Sequence, residues 1–348
     1  MTSIQDLREA FQKIRQEAPS LYLREIAQRL GVSEMEVLRL EVGKSVFRLH
    51  PDIPRLLAAL STLGPLKALS RNEWAVIETI GTYPTPSIEG GVMIFAGSPI
   101  DLRIYLAHWR FAFAVKSFAK DGRPLYSFQF FTGWGEAIHK VYLTSADQVP
   151  QWEALTREFL HEDQVVEAEV LTSRPSEPSP EEVEKTHFLK AWEALEDTHE
   201  FGSLLKRFGL TRARGVKMAE GTFTWLLPEK TPMLLLQWAI SSQTPLMFFV
   251  GNAGIHHIYS GQIHTLSSAH GWINVLEPDF NLHLNPAGFS HTYLVRKPTR
   301  EGDIYSIEIF GPQQEEVLWI FGARKPGTSV PSAWREYVEQ TLLQSALA

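Results

Sequence analysis

The sequence predicts an α+β protein made by tandem duplication, and three observations carry that prediction. Segments recur along the chain at an offset of about 180 residues. In each half, runs with helical spacing come first and strand-like runs follow, instead of the two alternating as they would in a βαβ chain. Between the halves stands Thr172-Ser173-Arg174-Pro175-Ser176-Glu177-Pro178-Ser179-Pro180, with three prolines and no apolar residue, which reads as an extended linker. The expected division is therefore residues 1–171 as an N-terminal repeat, 172–180 as a linker and 181–348 as a C-terminal repeat. Each repeat is expected to be helices followed by a large antiparallel sheet.

In chain order, residues 4–17, 20–30 and 33–41 show apolar residues at helical spacing with charged outer faces, and 51–63 follow Pro51 as a further short helix. Strand character then takes over at 74–80, 92–96, 101–105, 110–118, 125–131 and 136–143, rich in Val, Ile, Phe and Tyr. Asp121-Gly122 and Glu301-Gly302 fall between strand-like runs and read as hairpin turns. The second half repeats the scheme, with helices near 183–195 and 199–208, strands from 247 to 321 and a closing helix from about 332 to 344.

The duplication is read from weak matches that share one offset. Asn72-Glu73-Trp74 lies over Asn252-Ala253-Gly254, Gly81 over Gly261, Asp101-Leu102-Arg103-Ile104 over Asn281-Leu282-His283-Leu284, and Glu136-Ala137-Ile138 over Glu316-Val317-Leu318. With a two-residue slip, Arg29-Leu30-Gly31-Val32-Ser33 lies over Arg207-Phe208-Gly209-Leu210-Thr211.

Composition excludes several classes. The 348 residues carry 33 basic and 40 acidic side chains, so the surface as a whole is no trap for nucleic acid. No cysteine is present, which removes disulfides, thiolate metal sites and cysteine nucleophiles, yet 12 histidines leave imidazole-ligated metal or haem open. The 20 Phe, 10 Trp and 9 Tyr supply enough aromatic surface for real cores and an aromatic pocket. Met1-Thr2-Ser3-Ile4-Gln5-Asp6 has no basic flank leading into an apolar run, and no stretch approaches 18 apolar residues, so a soluble, cytoplasmic protein without membrane insertion is expected. Gly-x-Gly-x-x-Gly, Walker and Gly-x-Ser-x-Gly motifs are absent.

Four constellations bear on chemistry. Leu23 to Ser33 has helix-turn-helix form, but the helix that would enter DNA, Ser33 to Glu41, carries Glu34, Glu36 and Glu41, which phosphates repel, so a packing role is expected over nucleic-acid binding. Asp197 and Glu200 resemble a capping box opening a helix over Thr198–Phe208, with His199 in its first turn. A helix N-terminus disfavours a protonated imidazole and leaves a lone pair for a metal. Phe201, Leu204, Leu205 and Phe208 then offer an apolar face that suits a porphyrin, or equally an ordinary core. Arg103, Arg212, Arg214, Arg296, Lys297 and Arg324 are cations in strand-rich contexts that suit a carboxylate-bearing ligand or a solvated sheet face. His256-His257, His264, His270 and His283 lack the spacing of a dedicated zinc site.

Longer motifs narrow these choices. Ile100-Asp101-Leu102-Arg103, Gln129-Phe130-Phe131, Ala137-Ile138-His139-Lys140-Val141, Asp197-Thr198-His199-Glu200-Phe201, Leu204-Leu205-Lys206-Arg207, Phe249-Val250-Gly251-Asn252, Phe280-Asn281-Leu282-His283-Leu284 and Arg296-Lys297-Pro298-Thr299 resemble the cytoplasmic hemin-degrading factor family, the HemS/ChuS/HmuS-type haem-handling proteins of Gram-negative bacteria. The resemblance implies two similar halves with haem b, iron protoporphyrin IX, in a cleft between them. It implies His199 as the proximal iron ligand, Arg103 on the distal side, Arg212 and Lys297 near the propionates, and Arg324 as a further member of that group. Two activities follow by resemblance. One is oxidative opening of the ring to release iron, with Arg103 and water polarising oxygen on the distal side and an external electron donor, such as a reductase, supplying electrons. The other is haem carriage from an importer to a separate haem oxygenase. A ligand and a distal cation favour degradation, and the carrier reading stays open. Around Trp319-Ile320-Phe321-Gly322-Ala323-Arg324 the family often has Tyr-Gly-Gln-Arg, so Phe321 lacks a hydroxyl and Ala323 a carboxamide. Gly202 is smaller than the residue relatives tend to carry, which implies a more open pocket mouth.

Overall fold

A computed structural model describes residues 4–164, 173–175, 183–324 and 331–344, so most of the expected linker at 172–180 lies outside the described residues. In the first half the chain forms α1 (Ile4–Glu17), α2 (Leu23–Leu30), α3 (Glu34–Leu38), β1 (Val46–Leu49), α4 (Ile53–Ala59), β2 (Leu66–Arg71), β3 (Ala75–Gly81), β4 (Ser87–Glu89), β5 (Val92–Phe95), β6 (Asp101–Tyr105), β7 (Phe111–Phe118), β8 (Pro124–Phe131), β9 (Ala137–Leu143) and α5 (Val149–Glu158). In the second half it forms α6 (Lys185–Glu193), α7 (Glu200–Arg207), α8 (Arg212–Met218), β10 (Thr224–Leu227), α9 (Thr231–Ser242), β11 (Leu246–Asn252), β12 (Ile255–Gly261), β13 (Leu266–Ala269), β14 (Trp272–Leu276), β15 (Phe280–Leu284), β16 (His291–Lys297), β17 (Ile304–Phe310), β18 (Glu316–Gly322) and α10 (Ser332–Tyr337). The α+β expectation holds, with two large antiparallel sheets.

Two compact units emerge. The first takes the described residues of 1–70, 79–174 and 253–256, and the second those of 71–78, 175–252 and 257–348. In the first unit, strands pair in the order β1-β7-β8-β9-β2, and β4-β5-β6 form a separate meander. In the second unit, β10-β16-β17-β18-β11 repeat the first order and β13-β14-β15 repeat the meander. The duplication extends to irregularities: β8 and β9 slip register between Phe130 and Phe131, and β17 and β18 slip between Ile309 and Phe310. Both hairpin turns are present, with Gly122 and Gly302 in the positive-φ region that glycine occupies without strain.

Strand burial follows composition. β2 and β3 alternate buried and half-buried residues, as one-sided strands should, whereas all seven residues of β17 are buried. The first unit's main core gathers Leu56, Leu57, Phe95, Phe128, Phe130 and Trp152. The second unit's cores gather Phe248, Ile307 and Trp334 under the sheet and Phe188, Trp192 and Phe201 under α6 and α7.

The helix-turn-helix is real in shape and structural in use. Gly31 at φ 66° ends α2, and Ser33 and Glu36 form a reciprocal capping box that starts α3. Yet Glu34, Met35, Val37 and Leu38 are buried, and Glu34 pairs with Lys140 of β9. A helix that turns its residues into a core has none to offer a DNA groove. The second copy repeats the turn, with Gly209 at φ 62° and Thr211 capping α8.

Several elements went unread in the sequence for physical reasons. Helix α9, Thr-Pro-Met-Leu-Leu-Leu-Gln-Trp-Ala-Ile-Ser-Ser, is apolar on most sides and shows no one-sided stripe. Strand β4 has three residues, all exposed, and so lacks an apolar alternation.

Candidate functional site

His199 is the N-cap of α7, whose first helical residue is Glu200 rather than the expected Thr198. A tight turn precedes it, with the amides of Glu200 and Phe201 donating to the carbonyls of Asp197 and Thr198. Glu200 folds back and accepts from the amides of Glu196 and Asp197. Asp197 Oδ1 accepts from the His199 amide at 2.8 Å and lies 2.6 Å from His199 Nδ1. The backbone hydrogen bond from His199 leads the causes that hold the Asp197 carboxyl below its ordinary value, with the side-chain hydrogen bond from His199 and the charge of Arg324 adding to it. A carboxylate only accepts, so the shared proton sits on Nδ1 and the Nε2 lone pair is free to ligate. The imidazole is 85 % exposed, so Nε2 is open to an incoming metal centre.

The apolar face of α7 does not line an opening beside His199. Phe201, Leu204 and Leu205 are buried, and Phe201 packs edge-on against Trp192 with ring centroids 4.5 Å apart. The spacing read as a porphyrin wall is used as core, because an eight-residue helix needs that stripe to dock at all. Gly202 is exposed, with open space around the position of a Cβ.

Arg212 and Lys297 come together on a residue the sequence reading missed. Glu308, at the centre of β17 and fully buried, receives a bidentate pair from Arg212 at 2.7 and 2.8 Å and the Lys297 ammonium at 2.8 Å. Burial alone would raise the Glu308 carboxyl, but the two cations outweigh it and hold it far below the usual carboxylate range. Burial pulls the Lys297 ammonium down to about 8 against the raising effect of Glu308. The Arg212 guanidinium also stacks 3.5 Å from the Trp319 ring, and Phe201 lies 5.0 Å from Arg212 and 4.8 Å from Lys297. Helix α7 therefore carries His199 at its start and a lid over this charged cluster two residues later. A lone Glu within the apolar run Ile304-Tyr305-Ser306-Ile307-Glu308-Ile309-Phe310 was the signal that could have found it, since a buried carboxylate requires a buried cation.

Arg324 is partly exposed, 3.5 Å from Glu301, and Phe321, the family departure, lies 5.4 Å from Lys297. In the first unit, Arg103 lies on the half-exposed face of β6 with Asp101 and Tyr105, opposite buried Leu102 and Ile104, as the alternation predicts. It pairs with Asp101, whose carboxyl burial raises against the lowering effect of Arg103. Tyr105 on the same face hydrogen-bonds His256 Nδ1 at 2.8 Å. Two cavities, of about 180 and 630 Å³, are lined by other residues, and none of His199, Arg103, Arg212, Lys297 and Arg324 borders either. No helix among the described residues is long and apolar enough to cross a membrane.

Comparison with known proteins adds a consistent set of likenesses. The haemin-degrading HemS.ChuX domain model matches residues 31–159 and 209–341. The hemin transport protein HmuS of Yersinia pestis is 33% identical over 332 residues, 94% of each chain. Among solved structures, holo-PhuS, a heme-binding protein from Pseudomonas aeruginosa, superposes with a TM-score of 0.91 at 36% identity, covering 98% of this chain and 99% of the other. The Escherichia coli O157:H7 heme degrading enzyme ChuS superposes with a TM-score of 0.90 at 27% identity, covering 98% and 100%.

Proposed function

Because this chain belongs to the family of haemin-degrading HemS.ChuX domains, we propose that it binds haem through His199 and opens the porphyrin oxidatively to release iron. The observation that carries the reading is the Asp197–His199 pair. A carboxylate on Nδ1 fixes the tautomer and leaves an exposed Nε2, the arrangement an axial iron ligand needs. In this reading Arg103 stands on the distal side, where a fixed donor stabilises charge that develops on oxygen. The same reading puts Arg212, Lys297 and Arg324 near the propionates. With Glu308 ionised, the buried cluster of Arg212 and Lys297 keeps one net positive charge, and Arg324 stands outside it at the surface. The electrons come from an external donor. Haem b is the substrate this reading names, and an importer or a reductase is the partner it calls for.

A second reading, a haem carrier, is favoured by the names of two relatives, a hemin transport protein and a heme-binding protein. One experiment separates the two. Haem is titrated into wild type, His199→Ala and Arg103→Ala, and reductant is then added in air with catalase present. For an enzyme, His199→Ala binds haem far more weakly, and Arg103→Ala binds it nearly as wild type but loses the haem absorbance about 100-fold more slowly. Equal, slow loss in wild type and Arg103→Ala leaves the carrier. Wild-type affinity in His199→Ala removes the ligand assignment.

A further inference from the structure

We infer that His50, His161 and Glu162 form a binding site for a divalent transition-metal ion in the first unit, made of none of the residues proposed for haem. The site is set by the backbone. Leu49 and Leu160 form an antiparallel bridge, the His50 amide donates to the Phe159 carbonyl at 2.7 Å, and the His161 amide donates to the Arg48 carbonyl at 3.0 Å. In that register residues 50 and 161 are diagonal neighbours on one face, within reach of each other's rings. Their ring centroids lie 4.5 Å apart. Leu49, the last residue of β1, is buried, which pins the strand end that His50 follows.

Glu162 completes the group. Its Oε2 lies 2.7 Å from His50 Nε2, and one ligand atom from each of the three residues falls within 4.8 Å of the others. Bonds of about 2.0–2.1 Å to a tetrahedral ion need donors about 3.4 Å apart. The side chains of His50 and Glu162 are 44% and 79% exposed, so small rotations close that difference while the bridged backbone stays put. The proton between His50 and Glu162 occupies the place the ion takes. The Asp163 amide donates to His161 Nδ1 at 3.0 Å and orients that ring, and ligation through Nδ1 exchanges this hydrogen bond for a metal bond.

The donor set selects the ion. Two imidazoles and one carboxylate suit Zn(II), Fe(II), Co(II) or Ni(II), and fall short of the six to eight oxygens that calcium takes. Three protein ligands leave a position open. The cavity of about 180 Å³ lined by Arg48, Arg110 and His161 adjoins it, and Arg110 brings a positive charge that suits an anion as the remaining ligand, while the Arg48 guanidinium is held by the carbonyl and carboxylate of Asp163.

The test titrates the full chain at neutral pH with Co(II), read by its visible absorption, and with Zn(II), read by calorimetry. Wild type takes up one ion in the micromolar range at this site. His161→Gln and Glu162→Gln each weaken it about tenfold or more and abolish the Co(II) bands, while His264→Gln leaves both unchanged. Glu162 is largely exposed, so its variant keeps the fold and the result stays readable even if a histidine variant does not. Variants that bind as wild type does, or a wild-type chain that takes up no ion below millimolar concentration, overturn the site.

Discussion

A single histidine in this chain is defined by the group behind it. Asp197 fixes the His199 ring from the Nδ1 side, so its effect on haem is exerted through the ring it holds. Asp197→Ala is expected to weaken haem binding about tenfold or more while leaving the fold unchanged, because the aspartate is largely exposed. Haem titration beside an unfolding curve checks both parts, and unchanged affinity means the ring needs no such partner. His139 shows the opposite use of the same residue type. It is buried between Ser70 Oγ at 2.8 Å and Tyr83 hydroxyl at 2.7 Å, and burial lowers its pKa to about 3. In the unfolded chain it takes a proton near 6.5. Between those values the unfolded state holds the extra proton, so stability is whole above about pH 6.5 and falls as pH drops towards 3. The slope is about 1.4 kcal/mol per pH unit for this group. Urea unfolding across that window is expected to show the slope, and His139→Gln to flatten it.

At the scale of elements, the patterns that determine a strand or helix are silent about what its polar residues meet. Strand β17 is legible from its β-branched and aromatic run, and the run even marks Glu308 as odd. The partners of Glu308 come from β16 and α8, which pairing and packing bring together. Glu308→Gln is expected to lower unfolding stability by about 3 kcal/mol, since it leaves Arg212 and Lys297 buried without a counter-charge. Urea denaturation measures this, and a change below about 1 kcal/mol shows that the two cations find compensation elsewhere. The second helix of the helix-turn-helix makes the same point. Its turn chemistry was readable at Gly31 and Ser33, and its acidic residues spoke against DNA, but only the packing shows Glu34 turned inward onto Lys140.

The whole molecule repeats one unit, strand order and register slip included, yet the repeats are not chemically equal. The helix before the Gly31 turn has Tyr22 as its N-cap, and the helix before the Gly209 turn has His199. One copy thus has an imidazole at the helix start and the other a phenol ring, so the imidazole stands in one copy alone. The full chain is expected to bind one haem with high affinity, and a titration endpoint of two equivalent haems sinks the single-ligand account. The sequence by itself determined the α+β class, the duplication, the hairpin turns and the family, because these rest on local spacing, turn chemistry and motif content carried by consecutive residues. Only the tertiary structure decided that the apolar face of α7 serves as core, that Arg212 and Lys297 share Glu308, and that His50 meets His161. Each of those facts joins residues distant in the chain through strand pairing and burial, and no local pattern records which distant residue a buried charge or ring will face.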